Sequence, residues 1–456
     1  MKSVRIEHDS IGAREVPGEA YYGVQALRAS ENFRISGQKE HPVMIRSMAE
    51  IKMAAATVNS EIGRLDATVA QAIIGACKEV ADGKFNDQFI VDPIQGGAGT
   101  SLNMNANEVI ANRALELLGE KKGNYKIVHP NDHINCGQST NDVYPSAGRI
   151  TAIRFLSRGI DLLEQLKCVW LKKSEEAKDV VELGRTELQD AVPVRFGEVF
   201  HAYATSAQRD KERFGSAIEA LSVLNMGGTA IGTGITAAPL YKEKIVPALS
   251  EITGIEFTQA DDMIDATQNA DSLVFVSGIV KSCAVTLSKI AHDIRLLSSG
   301  PRAGFGELKL KPKQNGSSIM PGKVNPVIPE LINEIAFQII GNDTAITHAA
   351  EAGQLELNAF EPIIFHSLFT SIDYLCNGIS AFIECVDTLS VDEKQCKENL
   401  EQSVWLATAV SPYIGYEKAA KYAKKALREH KKVSEVLLEE TKFTEEELDN
   451  MLAESI

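Results

Sequence analysis

The feature that most restricts this chain is a run of apolar residues at Leu273, Val276, Val280, Cys283, Leu287, Ile290, Ile294 and Leu297, spaced by alternating steps of three and four. That period is the seam of a bundle helix and predicts one helix over about residues 266–299. Comparable patterns predict helices over about 149–183, where Ile153, Leu156, Ile160, Leu163 and Leu166 are in register, and over about 196–224, 327–349 and 355–386. Helices of this length exceed the usual globular range. Several are apolar on more than one face, which implies burial inside a large bundle. The expectation is an all-α protein whose long central bundle is shared between subunits.

Around this centre the chain divides into three. Residues 1–40 are a Gly/Pro-punctuated lead-in (EVPGEAYYG), read as irregular. From Pro42 the pattern turns helical. Val69, Ile73, Ile74, Cys77 and Val80 share a face, with Asp66 placed as N-cap and Gly83 as the stop. Past Ser390, Lys and Glu dominate (EKAAKYAKKALREHKK), as on the solvated faces of a small helical domain. The expected domains are 1–138, an N-terminal helical domain; 139–392, the long-helix bundle; and 393–456, a small C-terminal helical domain. A chain of 456 residues is too long for one ordinary core, and 44% apolar with 24% charged residues excludes disorder.

The formal net charge of −15 argues against a nucleic-acid partner. The seven cysteines form no CxxC pair, which points to a reducing cytosol rather than a disulfide framework. The stretch Met1–Glu7 has no apolar signal core, and no apolar run approaches the roughly 20 residues of a membrane span. The expected location is the cytoplasm, with no membrane partner.

Four polar strings interrupt the helical pattern: Gly96–Asn103 (GGAGTSLN), Gln138–Asp142 (QSTND), Gly184–Asp190 (GRTELQD) and Asn315–Pro326 (NGSSIMPGKVNP). Each supplies hydroxyls, amides and flexible backbone that donate to carboxylate oxygens. Singly, each reads as a helix cap or turn. Other motifs fail. Residues 316–323 look like a phosphate loop, but Pro321 stands in place of its second Gly. The nine histidines form no HExxH or paired pattern, so neither a catalytic metal nor another cofactor is expected. No GxSxG elbow surrounds Ser317. Within Gly304–Asn325, Lys309, Lys311, Lys313 and Lys323 stand against one acid, Glu307. A basic, glycine-flanked loop in an acidic protein reads either as a solvated surface loop or as a lid that closes on an anion.

The fourth string resembles the signature loop of the aspartase/fumarase superfamily, GSSxMPxKxNP. The other strings resemble further stretches of that superfamily in the same order, as do EVPGEAYYG, SENFRISG and EAGQLELNAFEP. The resemblance covers nearly the whole chain and is least distinctive over the last 50 or so residues. It implies a three-domain all-α fold and a homotetramer with active sites built from three subunits. It implies Ser317 as the base that removes a proton beside a carboxylate, giving an aci-carboxylate intermediate. Lys323 and Asn325 fall on the ligands of a substrate carboxylate. Thr100, Ser101, Ser139, Thr140, Asn141, Thr186 and Ser318 fall on other substrate-contacting positions.

Within the superfamily, QSTND and GRTELQDA resemble aspartases more than class II fumarases, which usually carry QSSND and have His where Glu187 stands. The implied reaction is the reversible deamination of L-aspartate to fumarate and ammonia. A fumarate hydratase is the alternative, and a catalytically silent paralogue a third. Some aspartases also have His at position 187, so Glu187 departs from that pattern too. His129-Pro130-Asn131-Asp132 resembles a second anion pocket of fumarases and reads equally as a Pro/Asn/Asp turn opening a helix.

Overall fold

The long-helix pattern is realised in the computed structural model, which describes residues 3–454. Met1 and Lys2, in the stretch read as lacking a signal core, and Ser455 and Ile456, at the end of the expected C-terminal domain, lie outside the described residues. Five helices span Thr140–Glu176, Phe196–Leu221, Asp271–Leu297, Val327–Glu351 and Glu361–Thr388. The chain forms two compact units, Met1–Gly159 with Arg213–Lys281 and Gln338–Tyr374, and Ile160–Glu212 with Ser282–Phe337 and Leu375–Ile456. The divide falls inside each of the five long helices.

In the first unit, helices Pro42–Glu61 and Ala67–Ala81 pack together, and their small residues Ala49, Ala54, Ala55, Ala70 and Ala76 are fully buried. Asp66 caps the second by accepting the N–H groups of Thr68 and Val69 at 2.8 and 3.1 Å. Gly83, at φ +82, follows its end. Both assignments agree with the sequence reading.

The lead-in is more ordered than its punctuation suggested. Val4–Asp9 and Gly12–Pro17 form an antiparallel hairpin, followed by helix Val24–Asn32. The Asp9 carboxylate accepts the N–H groups of Ile11 and Gly12 in the turn and a two-point contact from Arg28. This hairpin is held by polar side chains, so it carries little hydrophobic alternation to read. Helix Val24–Asn32 has no side-chain cap of its own. The buried Glu108, over 80 residues away, accepts from Gly23, Gln25 and Ala26 instead.

Helix Thr140–Glu176 starts nine residues before the expected Arg149, with Pro145 inside it. A proline there leaves the Asn141 carbonyl without its helical donor. The Asn225 side-chain amide supplies one at 2.9 Å. The helix ends early because Val181–Thr186 is a strand, paired with Gln189–Arg195. Four two-stranded sheets are present among the described residues, all small, and two of them are hairpins; the fold is all-α.

The second unit packs Trp170 against Phe200, Tyr203 and Phe382. Its last five helices, from Glu393–Gln402 to Glu445–Glu454, enclose their own core of Trp405, Val410, Ala426, Val436 and Leu437. Helix Asp271–Leu297 is long and apolar enough to cross a membrane by length and composition. Its seam residues, Leu273 to Ile294, are however buried against protein.

Candidate active site

In the first unit the first two strings come together at two helix N-termini. Gly99 precedes helix Thr100–Leu117 at φ +87, and a Cβ there would stand 2.3 Å from the Tyr144 ring, so only glycine lets the two helix starts approach. Asn103 donates to the Thr140 hydroxyl at 3.0 Å across this junction. Thr100 is exposed, Ser101, Ser139 and Asn141 half-buried, and Thr140 buried. Helix N-termini present unpaired N–H groups and positive dipole ends to an anion. Two of them side by side offer a dicarboxylate what the net charge of the chain does not.

Behind this surface the second string is clamped. Asp142 is fully buried and accepts three backbone N–H groups, from Ser139 at 2.9 Å and from Gly227 and Thr229 at 3.1 Å each. Burial pushes its carboxyl up to about 6, against the pull of those donors and of Lys52. The Gly-rich segment Asn225–Gly234 thereby wraps the string. Thr229 is left-handed at φ +54, and Ala230 accepts from the Asn141 amide at 2.7 Å. Lys52, also fully buried, donates to Asn135 and Gln138 at 2.9 Å each.

The other two strings lie in the second unit. Thr186 ends one strand of the hairpin, and Glu187 and Leu188 form its two-residue turn, left-handed at φ +53 and +62. Such turns favour Asn or Gly, so two side chains here are a local strain held by the flanking ladder. Thr186 and Glu187 are exposed. The adjacent Arg185 makes a two-point pair with the buried Glu307 at 2.8 Å each, over the face of Phe305. Asn399 completes the set, donating to Glu307 at 2.8 Å. The hairpin is thus fastened to the base of the Gly304–Asn325 loop.

The loop itself folds on its own backbone. Gly316 donates to the Lys323 carbonyl at 2.8 Å, and Asn325 donates to the Gly316 carbonyl at 3.1 Å. A Cβ on Gly316 would stand 2.7 Å from that Lys323 oxygen. The Ser317 hydroxyl oxygen accepts from the N–H groups of Ile319 and Met320 at 3.2 and 3.0 Å. Two N–H donors aimed at one oxygen favour its deprotonated form. Ser318 and Lys323 are exposed, Ser317 and Asn325 half-buried. At the loop base Lys309 pairs with Asp392 at 2.6 Å, and Lys313 pairs with Glu384.

The chain matches the lyase family model over residues 12–341 and a fumarase C C-terminal model over 406–454. It belongs to the aspartase/fumarase lyase family. An aspartate ammonia-lyase of Bacillus subtilis is 48% identical over 99% of this chain and 95% of its own. Among solved structures, a fumarate lyase:delta crystallin of Brucella melitensis superposes with a TM-score of 0.96 at 45% identity, covering 99% and 98% of the two chains. A class II fumarase of Schistosoma mansoni gives 0.94 at 33% identity, with the same coverage.

Pro130–Ile134 form a short helical segment with His129 as its N-cap. The His129 ring accepts the N–H groups of Asn131 and Asp132, which is the turn-and-cap alternative of the sequence reading. Sequence reasoning missed Lys52, Arg185 and Glu307 as parts of the site's support. It also passed over Asn225–Gly234, although the run NMGGTAIGTG was a visible signal.

Proposed function

We propose that this chain is an aspartate ammonia-lyase, which splits L-aspartate reversibly into fumarate and ammonia. The observation that carries the reading is the 48% identity to an aspartate ammonia-lyase along nearly the whole chain, against 33% to a class II fumarase. The intact loop residues Ser317, Lys323 and Asn325 support an active enzyme over a silent paralogue.

In this mechanism the Ser317 oxygen, held by two backbone N–H groups, takes the proton beside a carboxylate. Charge then accumulates on that carboxylate as the aci-form, and stabilising it needs donors fixed in advance. Lys323 and Asn325 take this role. Thr100, Ser101, Ser139, Thr140 and Asn141 hold the other carboxylate, while Thr186, Glu187 and Ser318 complete the pocket. Glu187 sits beside the leaving amine, where its charge favours an ammonium over a neutral hydroxyl.

The active assembly is a cytoplasmic homotetramer whose sites draw strings from different subunits, on the domain plan 1–138, 139–392 and 393–456. Exposed apolar residues on the long helices, Phe275, Val285, Leu331, Phe337 and Ile340, fit burial against further copies. The test is the appearance of fumarate absorbance when purified protein is offered aspartate or malate. Production from aspartate alone is expected; production from malate alone overturns the reading in favour of a hydratase.

A further inference from the structure

Lys52 is a buried charge bonded to the second string that the proposed chemistry does not yet use. Its ammonium group is enclosed within the first unit and bonded only to the neutral amide oxygens of Asn135 and Gln138. It makes no ion pair at contact distance. A buried ammonium without a carboxylate partner is costly to keep. Its surroundings explain where its field goes. Gln138 opens the QSTND string. Asn135 also accepts from Asn103 and Asn107, and Asn103 in turn donates to Thr140. The amide oxygens of Asn103 and Asn107 are buried without hydrogen-bond partners, so this polar cluster is incompletely satisfied in the free chain.

We propose that Lys52 is a positioning residue that orients the Gln138–Asn141 string and supplies the positive charge beneath its carboxylate pocket. The inference rests on the dicarboxylate-site reading above and deepens it. Of the titratable groups facing Lys52, helix Ala67–Ala81 presents the Cys77 thiol, and helix Thr140–Glu176 presents the buried Asp142 carboxyl. Helix Thr100–Leu117 reaches the same cluster through the Asn103 and Asn107 amides, which donate to Asn135. Cys77 is itself pushed up to about 12 by burial, so it stays neutral. A second anion in front of the string would therefore be balanced chiefly by Lys52.

Burial lowers the Lys52 ammonium to about 7, against the pull of Asp142. A bound dianion favours the charged form and raises it again. Dicarboxylate binding near pH 8 should then take up protons, approaching one per site. Succinate, a dicarboxylate that cannot eliminate ammonia, is the probe. Calorimetric titration of the native protein at pH 8, in buffers of different ionisation heat, should show uptake of a large fraction of a proton. Lys52→Met should abolish the uptake and weaken succinate about tenfold, while weakening the monoanion butyrate much less. Succinate binding without proton uptake in the native protein overturns the role of Lys52 and leaves the dicarboxylate site standing. That measurement needs no variant, so a poorly folding Lys52→Met does not block it. Equal weakening of succinate and butyrate in a folded Lys52→Met reduces the residue to a structural support and also overturns the proposal. No succinate binding at all overturns the dicarboxylate reading itself.

Discussion

The QSTND string and the Ser317 loop are built on opposite principles. The QSTND string is a preorganised wall: Asp142 fixes it to a Gly-rich segment by three backbone bonds, and Lys52 holds it from behind. The Ser317 segment, 315–325, folds on its own backbone through Gly316, Lys323 and Asn325, while Ile319 and Met320 face outward at 84% and 49% exposure. Segments with few buried contacts come from the low-stability end of a structure. The contrast separates a string fixed by buried bonds from a loop without such anchoring, and it predicts that mutations in the two places fail differently.

The largest expected effect is that of Ser317→Ala. It should cost more activity than the roughly 100- to 1000-fold loss of a single oxyanion donor, with unfolding unchanged within about 0.5 kcal/mol. Steady-state rates alongside a denaturant titration test both halves; near-normal turnover would remove Ser317 from the mechanism. Lys323→Met should come next, raising KM and lowering kcat together, because charge on the substrate carboxylate grows towards the intermediate. Unchanged kinetics would make this lysine a mere surface residue.

Asp142 probes the fixed string, where the loss should appear in stability. Its folded pKa is raised above the ordinary 3.8 to about 6 by burial. Its titration therefore favours the folded state below pH 4, and that advantage is lost as pH rises through 6. The stability of the native protein relative to Asp142→Asn should fall by roughly 3 kcal/mol across this window. A difference between the two proteins that does not vary with pH would show that Asp142 is not held as described. The smallest effect is reserved for Glu187→Gln at the exposed hairpin turn. Aspartate turnover should drop a few-fold, and residual malate turnover less. An equal response for both substrates would deny Glu187 any choice between amine and hydroxyl.

How much of this was legible in the sequence follows from the range of the interactions. The five long helices, the Asp66 cap and the Gly83 stop are set by apolar spacing and by bonds between near neighbours, so their residue types announce them. The four strings could be marked as donor-rich for the same reason. The lead-in hairpin and the start of helix Thr140–Glu176 were not legible. Asp9 is held by Arg28, and the carbonyl orphaned by Pro145 is served by Asn225, 84 residues on. The support of the site is of the same kind. Arg185 meets Glu307 at a separation of 122 residues, and Lys52 meets Gln138 at 86. A lone lysine in an Ala-rich helix looks like any surface lysine. Only the packing of other helices around it removes its water, and with the water gone its charge has to be answered from within the protein or by a ligand.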